Sequence, residues 1–276
     1  MSQQSSVTAI VPTGNRVDVI EDCLRSLDWV DELLVVDSFS SDGTLAIAEQ
    51  YADRILRREY VNSANQKNWA IPQATHDWVL IVDTDERVTS ALRTEIESIL
   101  VSWQPGMPVG YQIPRLNILW DKPIKHTGYY PDYQVRLFRR DQAKYESRQV
   151  HAHILLDGIR GTLEQPLIHY AHRSLDQTLN NLLIRMTTWE AQAREAVIPS
   201  AGKIRIHRLW PNLLLRPPAA FWMRYVHQQG FRDGTRGLIL SIIWAMYVAI
   251  TYMKLWETSL ELRKDWWQGD ISKLEL

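Results

Sequence analysis

The first hundred residues alternate short apolar runs with segments of helical periodicity, and this alternation constrains the fold more than any other feature. The apolar runs are too short for helices and end at turn-forming or charged residues, which is typical of buried strands. Strands that are separated by helices form a parallel sheet with helices on both faces. The chain is therefore predicted to be an α/β protein, with strands at 7–12, 33–37, 54–58 and 78–83.

Helix signals fill the intervals between these runs. Apolar residues recur at helical spacing from Ile20 to Leu27, and Asp42 is placed to cap a helix that continues through Tyr51. Two further helices are predicted at 62–71 and from a cap at Thr89 or Ser90 to residue 100.

The alternation of strands and helices ends after residue 106. Four further strand-like segments follow with no long helix between them, at 109–116, 134–139, 150–156 and 163–170, which predicts a mixed sheet. Ser174 and Gln177 have the spacing of a capping box, and the apolar residues that follow recur at helical spacing. We predict a first domain over 1–172 and a helical C-terminal region over 173–276.

A single cysteine, Cys23, lies within a helical apolar pattern, so a small core residue is expected there rather than a reactive thiol. One cysteine allows no internal disulfide, which is typical of a reducing compartment. The N-terminus lacks the basic start and long apolar stretch of a secretory signal. A cytoplasmic protein is predicted.

The stretch VLIVDTDER places Asp83, Asp85 and Glu86 directly after the fourth apolar run. Like charges so close repel, so a cation is expected beside them. In open α/β sheets, ligands bind beyond the carboxyl ends of the strands, where Asp37 also lies. Two carboxylates one residue apart suit Mg²⁺ or Mn²⁺, which takes further ligands from waters and phosphate oxygens. The alternative is that Asp85 and Glu86 face solvent ahead of the next helix.

Several blocks of this chain resemble the family 2 glycosyltransferases with the GT-A fold. The first four are SVTAIVPTGN, LLVVDSFSSDGT, SANQKNWAI and DWVLIVDTDERV. Three later blocks resemble the lipopolysaccharide core-type (beta-glucosyltransferase-like) subgroup: YYPDYQVRLFRR, LIHYAHRSL and GFRDGTRGLILSIIWAMYVAITYMKLWE. The resemblance extends over roughly residues 5 to 257 and implies a Rossmann-like, mostly parallel mixed sheet with a helical C-terminal extension.

The resemblance implies a nucleotide-sugar donor, with a UDP-sugar favoured, bound by the domain at 1–172. The residues implied to contact this donor are Pro12, Thr13, Asn15, Asp37, Gln66, Lys67 and Asp83. Asp85 would hold Mg²⁺ or Mn²⁺, and His169 matches a position where some GT-A enzymes supply a further ligand, with a structural histidine as the alternative. Asp42 has two open interpretations, a helix cap or a ligand contact.

Sugar transfer with inversion needs a group that accepts the proton of the attacking hydroxyl, and a carboxylate is the usual choice. Asp132 is our first candidate by its resemblance to the family block, with a turn aspartate after Pro131 as the alternative. His151 is the second candidate for a catalytic role. Relatives usually have His-Glu where this chain has His151-Ala152, and Asn-Glu where this chain has Asn15-Arg16.

Three cationic residues near these blocks have open roles. Lys67 could offset phosphate charge as a point cation, or lie exposed on its helix. Arg136 and Arg139 could contact phosphate or acceptor, or form a solvated face of their strand.

The C-terminal region is locally basic although the whole chain has a formal charge of −1. Residues 203–236 hold seven Lys and Arg against one acid, and an uncharged run of seventeen residues follows at 237–253. Such a run spans about 25 Å as a helix, which is short for a bilayer crossing. A core helix, an interfacial helix and a membrane span all stay open, and the apolar character argues against nucleic acid as a partner.

The resemblance implies an inverting glycosyltransferase that acts on a glycan or lipid-linked acceptor in cell-envelope polysaccharide synthesis, and the carboxylates after the fourth strand predict that it depends on a metal ion. Its location would be the cytoplasm, with peripheral contact to the inner face of the cytoplasmic membrane. Two alternatives stay open. A nucleotidyltransferase would need a glycine-rich phosphate loop, and PTGNRVD supplies only Gly14. A non-catalytic, membrane-associated nucleotide-sugar-binding protein is made conceivable by Ala152 and Arg16.

Overall fold

The computed structural model describes residues 5–146, 153–197 and 206–258. Contacts divide the chain into two compact units, Met1–Arg173 and Ser174–Leu276, which are described in turn.

The first unit is built on a parallel sheet that arises from the predicted apolar runs. Its strands are β1 (Val7–Thr13), β2 (Glu32–Asp37), β3 (Arg54–Arg57) and β4 (Trp78–Ile81), in the order β3-β2-β1-β4. The helices between and after them are α1 (Ile20–Arg25), α2 (Thr44–Ala48), α3 (Ser63–Ala70) and α4 (Ser90–Ser102).

The sheet continues as a mixed sheet beyond β4, as the loss of helices after residue 106 predicts. Its further strands are β5 (Glu86–Val88), β6 (Gly110–Leu119), β7 (Lys122–Pro123), β8 (Asp132–Arg139), β11 (Arg160–Thr162) and β12 (Leu167–His172). The order from β4 is β8-β6-β12-β5, with β8 antiparallel to both neighbours and β5 antiparallel to β12. A separate pair joins β9 (Ala143–Tyr145) to β10 (Ile154–Leu156).

Two sequence-based boundaries need correction. The segment 163–170, predicted as one strand, is a strand only from Leu167, where β12 begins; residues 163–166, which include Pro166, form a loop between β11 and β12. Within the segment 150–156, the described strand is β10 alone.

Alternating side chains of the parallel strands bury both faces of the sheet. One face carries Val7, Ala9 and Val11 against residues of α1, α2 and α4. The other face carries Ile10 and Leu34 against α3 and the 3-10 turn that follows it. Helices on both faces, as predicted, explain why the strands read as continuous apolar runs.

Short polar contacts fix the helix starts. Asn62 accepts a hydrogen bond from the Asn65 amide at 2.8 Å, and Thr89 accepts one from the Leu92 amide at 3.1 Å. Cys23 is fully buried, and burial raises the pKa of its thiol, so it is the core residue that the pattern predicts.

Glu32, at the start of β2, ties three parts of the first unit together. Its carboxylate accepts hydrogen bonds from Thr8 Oγ1 at 2.7 Å, Arg54 Nη1 at 2.6 Å, and both the amide and hydroxyl of Thr75 at 2.7 and 2.9 Å. Burial would raise the pKa of Glu32, but these donors outweigh it and lower the pKa to about 2.

The second unit is helical. Its α-helices are α5 (Leu175–Leu179), α6 (Thr187–Val197), α7 (Ile206–Leu214), α8 (Arg216–Trp222) and α9 (Gly234–Thr258), with π-helical stretches at Asn180–Met186 and Met223–His227. Ser174 caps α5 by accepting a hydrogen bond from the Gln177 amide at 3.1 Å. At Gly237 a Cβ atom would lie 1.8 Å from the Gly230 carbonyl oxygen, so only glycine fits there.

Helix α9 extends well beyond the uncharged run from which it was predicted. Its 25 residues span about 37 Å, and it packs against α6 and α8. Leu240, Ile243 and Leu255 are buried, whereas Ile242 and Met246 are exposed. By length and composition, Gly230–Glu257 could cross a membrane, a property that core helices of soluble proteins share.

Candidate active site

A pocket of about 500 Å³ lies at the carboxyl ends of β1 and β4, beside α3. This is the edge at which open α/β sheets bind their ligands. Eight of the residues assigned to the site from the sequence line it: Pro12, Thr13, Asn15, Gln66, Lys67, Asp83, Asp85 and His169. The lining also includes Gly14, Arg16, Ser38, Tyr60, Ser63 and Thr84.

Asp83 is held at the pocket wall by two buried cations. Lys67 Nζ lies 2.8 Å from Oδ1, and Arg136 Nη2 lies 2.6 Å from Oδ2. Burial would raise the pKa of Asp83, but Arg136 and Lys67 outweigh it and hold the pKa well below its usual range. Lys67 and Arg136 are each 5% exposed, so the exposed helical lysine and the solvated arginine considered above are both wrong.

Glu86 is fully buried in β5, which corrects the interpretation that it faces solvent. Its Oε1 lies 2.5 Å from Arg136 Nη2 and 3.5 Å from Arg115 Nη1, and its Oε2 accepts a hydrogen bond from the Asp83 amide at 3.0 Å. The cations that the sequence requires beside these carboxylates are therefore supplied by α3, β6 and β8.

Asp85 differs from its two acidic neighbours. Its side chain is 30% exposed in the pocket, and its Oδ1 lies 3.7 Å from His169 Nε2. In the described parts of the chain, no Lys or Arg forms an ion pair with it. The pairing of β12 with β5 places His169 opposite Glu86, which brings the histidine beside Asp85.

The protonation of His169 follows from its second nitrogen. His169 Nδ1 lies 2.6 Å from Asn117 Oδ1, and Asn117 Nδ2 donates to the Tyr129 carbonyl at 3.0 Å, which orients the amide. The Nδ1–H of His169 therefore donates to Asn117, and Nε2 directs its lone pair toward Asp85. Burial, followed by the charge of Arg115, lowers the pKa of His169, so the neutral ring is favoured.

A carboxylate oxygen and a bare imidazole nitrogen thus face each other with no proton between them. Their separation of 3.7 Å is too long for a hydrogen bond, and two lone pairs repel. A divalent cation would reverse that repulsion, since Asp and His are both ligands of such ions. The described residues contain no cluster of three or more His, Cys, Asp or Glu around one point, so water and phosphate oxygens would complete the shell. The residues present fit Mg²⁺ or Mn²⁺.

Two buried polar atoms of residues that line the pocket lack partners among the described residues. They are Thr13 Oγ1 and Gln66 Oε1. Gln66 is 1% exposed and donates from Nε2 to Ser38 Oγ at 3.2 Å, so its Oε1 is the acceptor left for a ligand. Both atoms are buried in this structure, so a polar ligand would satisfy them only after a side-chain movement.

Other residues that were predicted to contact the nucleotide-sugar donor stabilise loops. Asp37 is fully buried, and its carboxylate accepts hydrogen bonds from the Ser40 amide at 3.1 and 3.3 Å. Asp37 is not part of the pocket lining, so the structure gives it a loop-holding role, and contact with a base or ribose stays a prediction. Asp42 accepts hydrogen bonds from the Val17 and Thr44 amides at 3.1 and 3.0 Å, so it holds the loop ahead of α2, whose N-cap residue is Gly43 rather than Asp42. Asn15 lines the pocket while its Oδ1 accepts from the Ser41 amide at 2.8 Å.

Asp132, the first candidate for a catalytic role, is held by an arginine and a glutamine. Asp132 Oδ2 accepts from Arg115 Nε and Nη2 at 2.9 and 2.6 Å, and Oδ1 accepts from Gln134 at 2.9 Å. Burial would raise the pKa of Asp132, but Arg115 and Gln134 lower it. Asp132 is outside the pocket lining, yet it shares Arg115 with Glu86. His151 lies outside the described residues.

Sequence reasoning missed Arg115 and Asn117, and it left Arg136 without a definite role. Arg115 and Asn117 lie on β6, whose neighbours are distant in sequence, so no local motif identifies them. The sequence signal for these cations was the group of carboxylates after β4. These carboxylates indicate that cations lie nearby, but they do not identify the residues that supply them.

Comparisons with known proteins identify the family of this chain. The model of glycosyl transferase family 2 matches residues 8–151. The lipopolysaccharide core biosynthesis glycosyltransferase LpsC of Rhizobium meliloti (strain 1021) is 26% identical over 263 residues, which are 91% of this chain and 92% of LpsC. A glycosyltransferase of Rickettsia felis is 26% identical over 266 residues, which are 92% of this chain and 91% of that protein.

A similar solved structure is the mannosyltransferase PcManGT from Pyrobaculum calidifontis, in complex with GDP-Man and Mn²⁺. It covers 92% of this chain and 88% of its own, with a TM-score of 0.55 and 16% identity. This likeness confirms the predicted fold, and the family match, which spans more than half of the chain, decides against the two alternative functions. The chain belongs to glycosyl transferase family 2 and is a glycosyltransferase with the GT-A fold.

Proposed function

We propose that this glycosyltransferase depends on Mg²⁺ or Mn²⁺ and moves a sugar, with inversion, from a nucleotide-sugar donor in the pocket. The observation that carries the proposal is the Asp85–His169 pair, which presents an oxygen and a bare nitrogen to the pocket while the neighbouring carboxylates are already paired.

The charge balance of the site supports a divalent ion. Four carboxylates and four Lys or Arg side chains line the pocket or belong to its linked ion pairs, so their formal charges sum to zero when His169 is neutral; these groups are Asp83, Asp85, Glu86 and Asp132 with Arg16, Lys67, Arg115 and Arg136. A diphosphate would add negative charge beside an unpaired carboxylate, which is unfavourable without a cation. A bound divalent ion would supply charge neutralisation of the diphosphate leaving group.

The nucleoside part of the donor would lie against the wall that contains Thr13 and Gln66. Their unpartnered oxygens accept hydrogen bonds from N–H or O–H groups, which bases and riboses carry. A UDP-sugar is our favoured donor, as the family resemblance implies. PcManGT, of the same fold, holds a nucleotide-sugar together with Mn²⁺, which is the pairing of ligands proposed for this chain.

Asp132 is the proposed base. The acceptor hydroxyl oxygen attacks the sugar C1, its proton passes to the Asp132 carboxylate, and the bond from C1 to the diphosphate breaks. Arg115 keeps Asp132 ionised, because the lowered pKa leaves the carboxylate unprotonated at neutral pH. The same low pKa makes Asp132 a weak base, so proton transfer is expected late in the reaction.

The acceptor is proposed to be a glycan or lipid-linked glycan of cell-envelope polysaccharide synthesis. LpsC, related along most of both chains, is named for lipopolysaccharide core biosynthesis. The proposed location is the cytoplasm, with peripheral contact to the inner face of the cytoplasmic membrane through the second unit, whose helices expose apolar side chains such as Trp222 and Ile242.

Binding of Mn²⁺ and nucleotide tests the proposal without an identified acceptor. Wild type is expected to bind Mn²⁺, measured by electron paramagnetic resonance, and to gain thermal stability when Mn²⁺ and UDP are added together. Asp85→Asn removes the charged ligand but retains the shape, and is expected to weaken Mn²⁺ binding at least tenfold. Asp28→Asn is the matched control, because Asp28 is 75% exposed and pairs with Arg93 away from the pocket.

Equal Mn²⁺ binding by Asp85→Asn and Asp28→Asn would refute the proposed metal site. The same stability assay with GDP and dTDP in place of UDP identifies the nucleotide, and a larger shift with either would correct our choice of UDP.

A further inference from the structure

A second cavity of about 330 Å³ lies within the helical unit, between α6, α8 and α9. Its walls include Ala219, Ala220, Met223 and Val248, so much of its lining is apolar. Nothing in the sugar-transfer chemistry uses this cavity.

Two arginines flank one aromatic ring of this cavity. The guanidinium groups of Arg194 and Arg216 lie 5.4 and 5.3 Å from the ring centroid of Tyr252. Arg194 also pairs with Glu190 at 2.8 Å and donates to the Tyr252 hydroxyl at 3.1 Å, which fixes its position. In the described part of the chain, no carboxylate forms an ion pair with Arg216.

This arrangement favours an anion at the cavity. Two guanidinium groups that share one ring repel each other, and Glu190 offsets only one of them. Phosphate oxygens match the planar, multiple donors of arginine. The apolar walls then suit a hydrocarbon part attached to the same anion, because burying it removes apolar area from water.

We propose that this cavity binds the phosphate head group of an anionic membrane lipid, with the start of the acyl chains against Ala219, Ala220 and Met223. The apolar residues exposed around α8 point to a lipid rather than to a free phosphate. Leu215 is 68% exposed, Trp222 64% and Met223 47%, and such side chains enter the boundary between head groups and acyl chains. This lipid site rests on the peripheral membrane contact proposed above, and it does not depend on the proposed metal site because the cavity lies in the second unit.

Vesicle binding by the full-length protein tests the charge part of this proposal. Vesicles of phosphatidylcholine with and without phosphatidylglycerol are compared in a flotation assay. Arg216→Gln is expected to weaken binding to the phosphatidylglycerol vesicles at least tenfold. Arg232→Gln is the matched control, because Arg232 is exposed and contacts Gln229 by a local hydrogen bond. Vesicle binding by Arg232→Gln is expected to weaken by no more than about fivefold, which is the effect of removing one surface charge.

Ala219→Leu tests the cavity itself without changing any charge. The larger side chain fills space at the cavity wall and is expected to weaken vesicle binding at least fivefold, while the melting temperature of the protein stays unchanged. If Ala219→Leu does not fold, Ala220→Leu is tested in its place. Unchanged binding by the folded leucine variant, or equal losses for Arg216→Gln and Arg232→Gln, would overturn the proposal in favour of general surface attraction.

A soluble assay separates the two sources of phosphate. Dihexanoyl phosphatidylglycerol below its micelle concentration is expected to raise the melting temperature of wild type, and inorganic phosphate at the same concentration is not. Equal stabilisation by inorganic phosphate would overturn the lipid assignment. The Asp85→Asn variant is expected to bind vesicles like wild type, so failure of the metal site and failure of the lipid site are distinguishable.

Discussion

Replacing Arg136 by methionine removes the cation that two buried carboxylates share. Arg136 lies 2.6 Å from Asp83 and 2.5 Å from Glu86 and is 5% exposed, while Glu86 is fully buried. Methionine retains most of the apolar stem but no charge. Removing one partner of a buried ion pair costs about 3–5 kcal/mol, because a charge stays buried without compensation.

The remaining cations set the expected value within that range. Lys67 still pairs with Asp83 at 2.8 Å, so the larger effect falls on Glu86, which retains only Arg115 at 3.5 Å. We expect the Arg136→Met variant to lose about 3 kcal/mol of unfolding free energy at pH 7. Urea denaturation followed by far-UV circular dichroism measures this loss.

The pH dependence identifies the cause. In wild type the pKa of Asp83 is held below its ordinary value of 3.8, so the stabilisation is present above that pH and is lost as the pH falls below it. In the variant Asp83 loses one of its two cations and takes up a proton at higher pH than in wild type, which relieves the buried charge. The difference between wild type and variant is therefore expected to shrink from pH 7 to pH 4.

Arg139→Met is the matched control on the same strand. Arg139 pairs with Asp77 at 3.3 Å, and the Asp77 side chain is 61% exposed, so the ion pair contributes about 0–1 kcal/mol. A loss below 1 kcal/mol for Arg136→Met, or a loss of equal size at pH 7 and pH 4, would refute the charge-balance reasoning.

Three further predictions concern single side chains. Asn117→Ala frees the His169 ring and is expected to weaken Mn²⁺ binding about 10- to 100-fold by electron paramagnetic resonance, and unchanged binding would refute the orienting role of Asn117. Asp132→Asn is expected to lower the transfer rate at least about 100-fold while Mn²⁺ binding is retained, and a rate near wild type would exclude Asp132 as the base. Glu32→Gln is expected to lower the free energy of unfolding by up to about 3 kcal/mol at pH 7, because the pKa of Glu32 is about 2 in the folded protein against 4.5 for the ordinary group. This stabilisation is present above pH 4.5 and is lost as the pH falls toward 2. Urea denaturation at pH 7 and pH 3 measures it.

The parallel half of the first unit could be predicted from the sequence because its signals are local. β1, β2 and β4 carry consecutive buried apolar residues, since helices cover both faces of the sheet, whereas the edge strand β3 has only Ile55 and Leu56 between two arginines. The helix caps at Asn62 and Thr89 are likewise set by residues within one turn. Asp83 and Asp85 could be assigned to the ligand edge because both follow β4 directly.

The mixed half could not be derived in the same way, because its pairing is non-local. β5 has three residues and is a strand only because β12 pairs with it across some eighty positions of the sequence, from Glu86 to His169. Without that pairing, the sequence places Glu86 at the surface and leaves His169 as an isolated histidine. The role of Arg115 depends equally on long-range geometry, since β6 brings it between Glu86 and Asp132.

The structure explains why three carboxylates can follow one buried strand. Asp83 and Glu86 are neutralised by cations from α3, β6 and β8, and these pairs require good geometry because their desolvation is costly. The segment between them is thereby fixed, and the Asp85 carbonyl is held by the Tyr170 amide at 2.8 Å. Asp85 consequently presents its side chain to the pocket from a rigid backbone, which reduces the ordering cost of binding a cation. The acidic cluster thus separates into two residues that stabilise the fold and one that is available for a ligand.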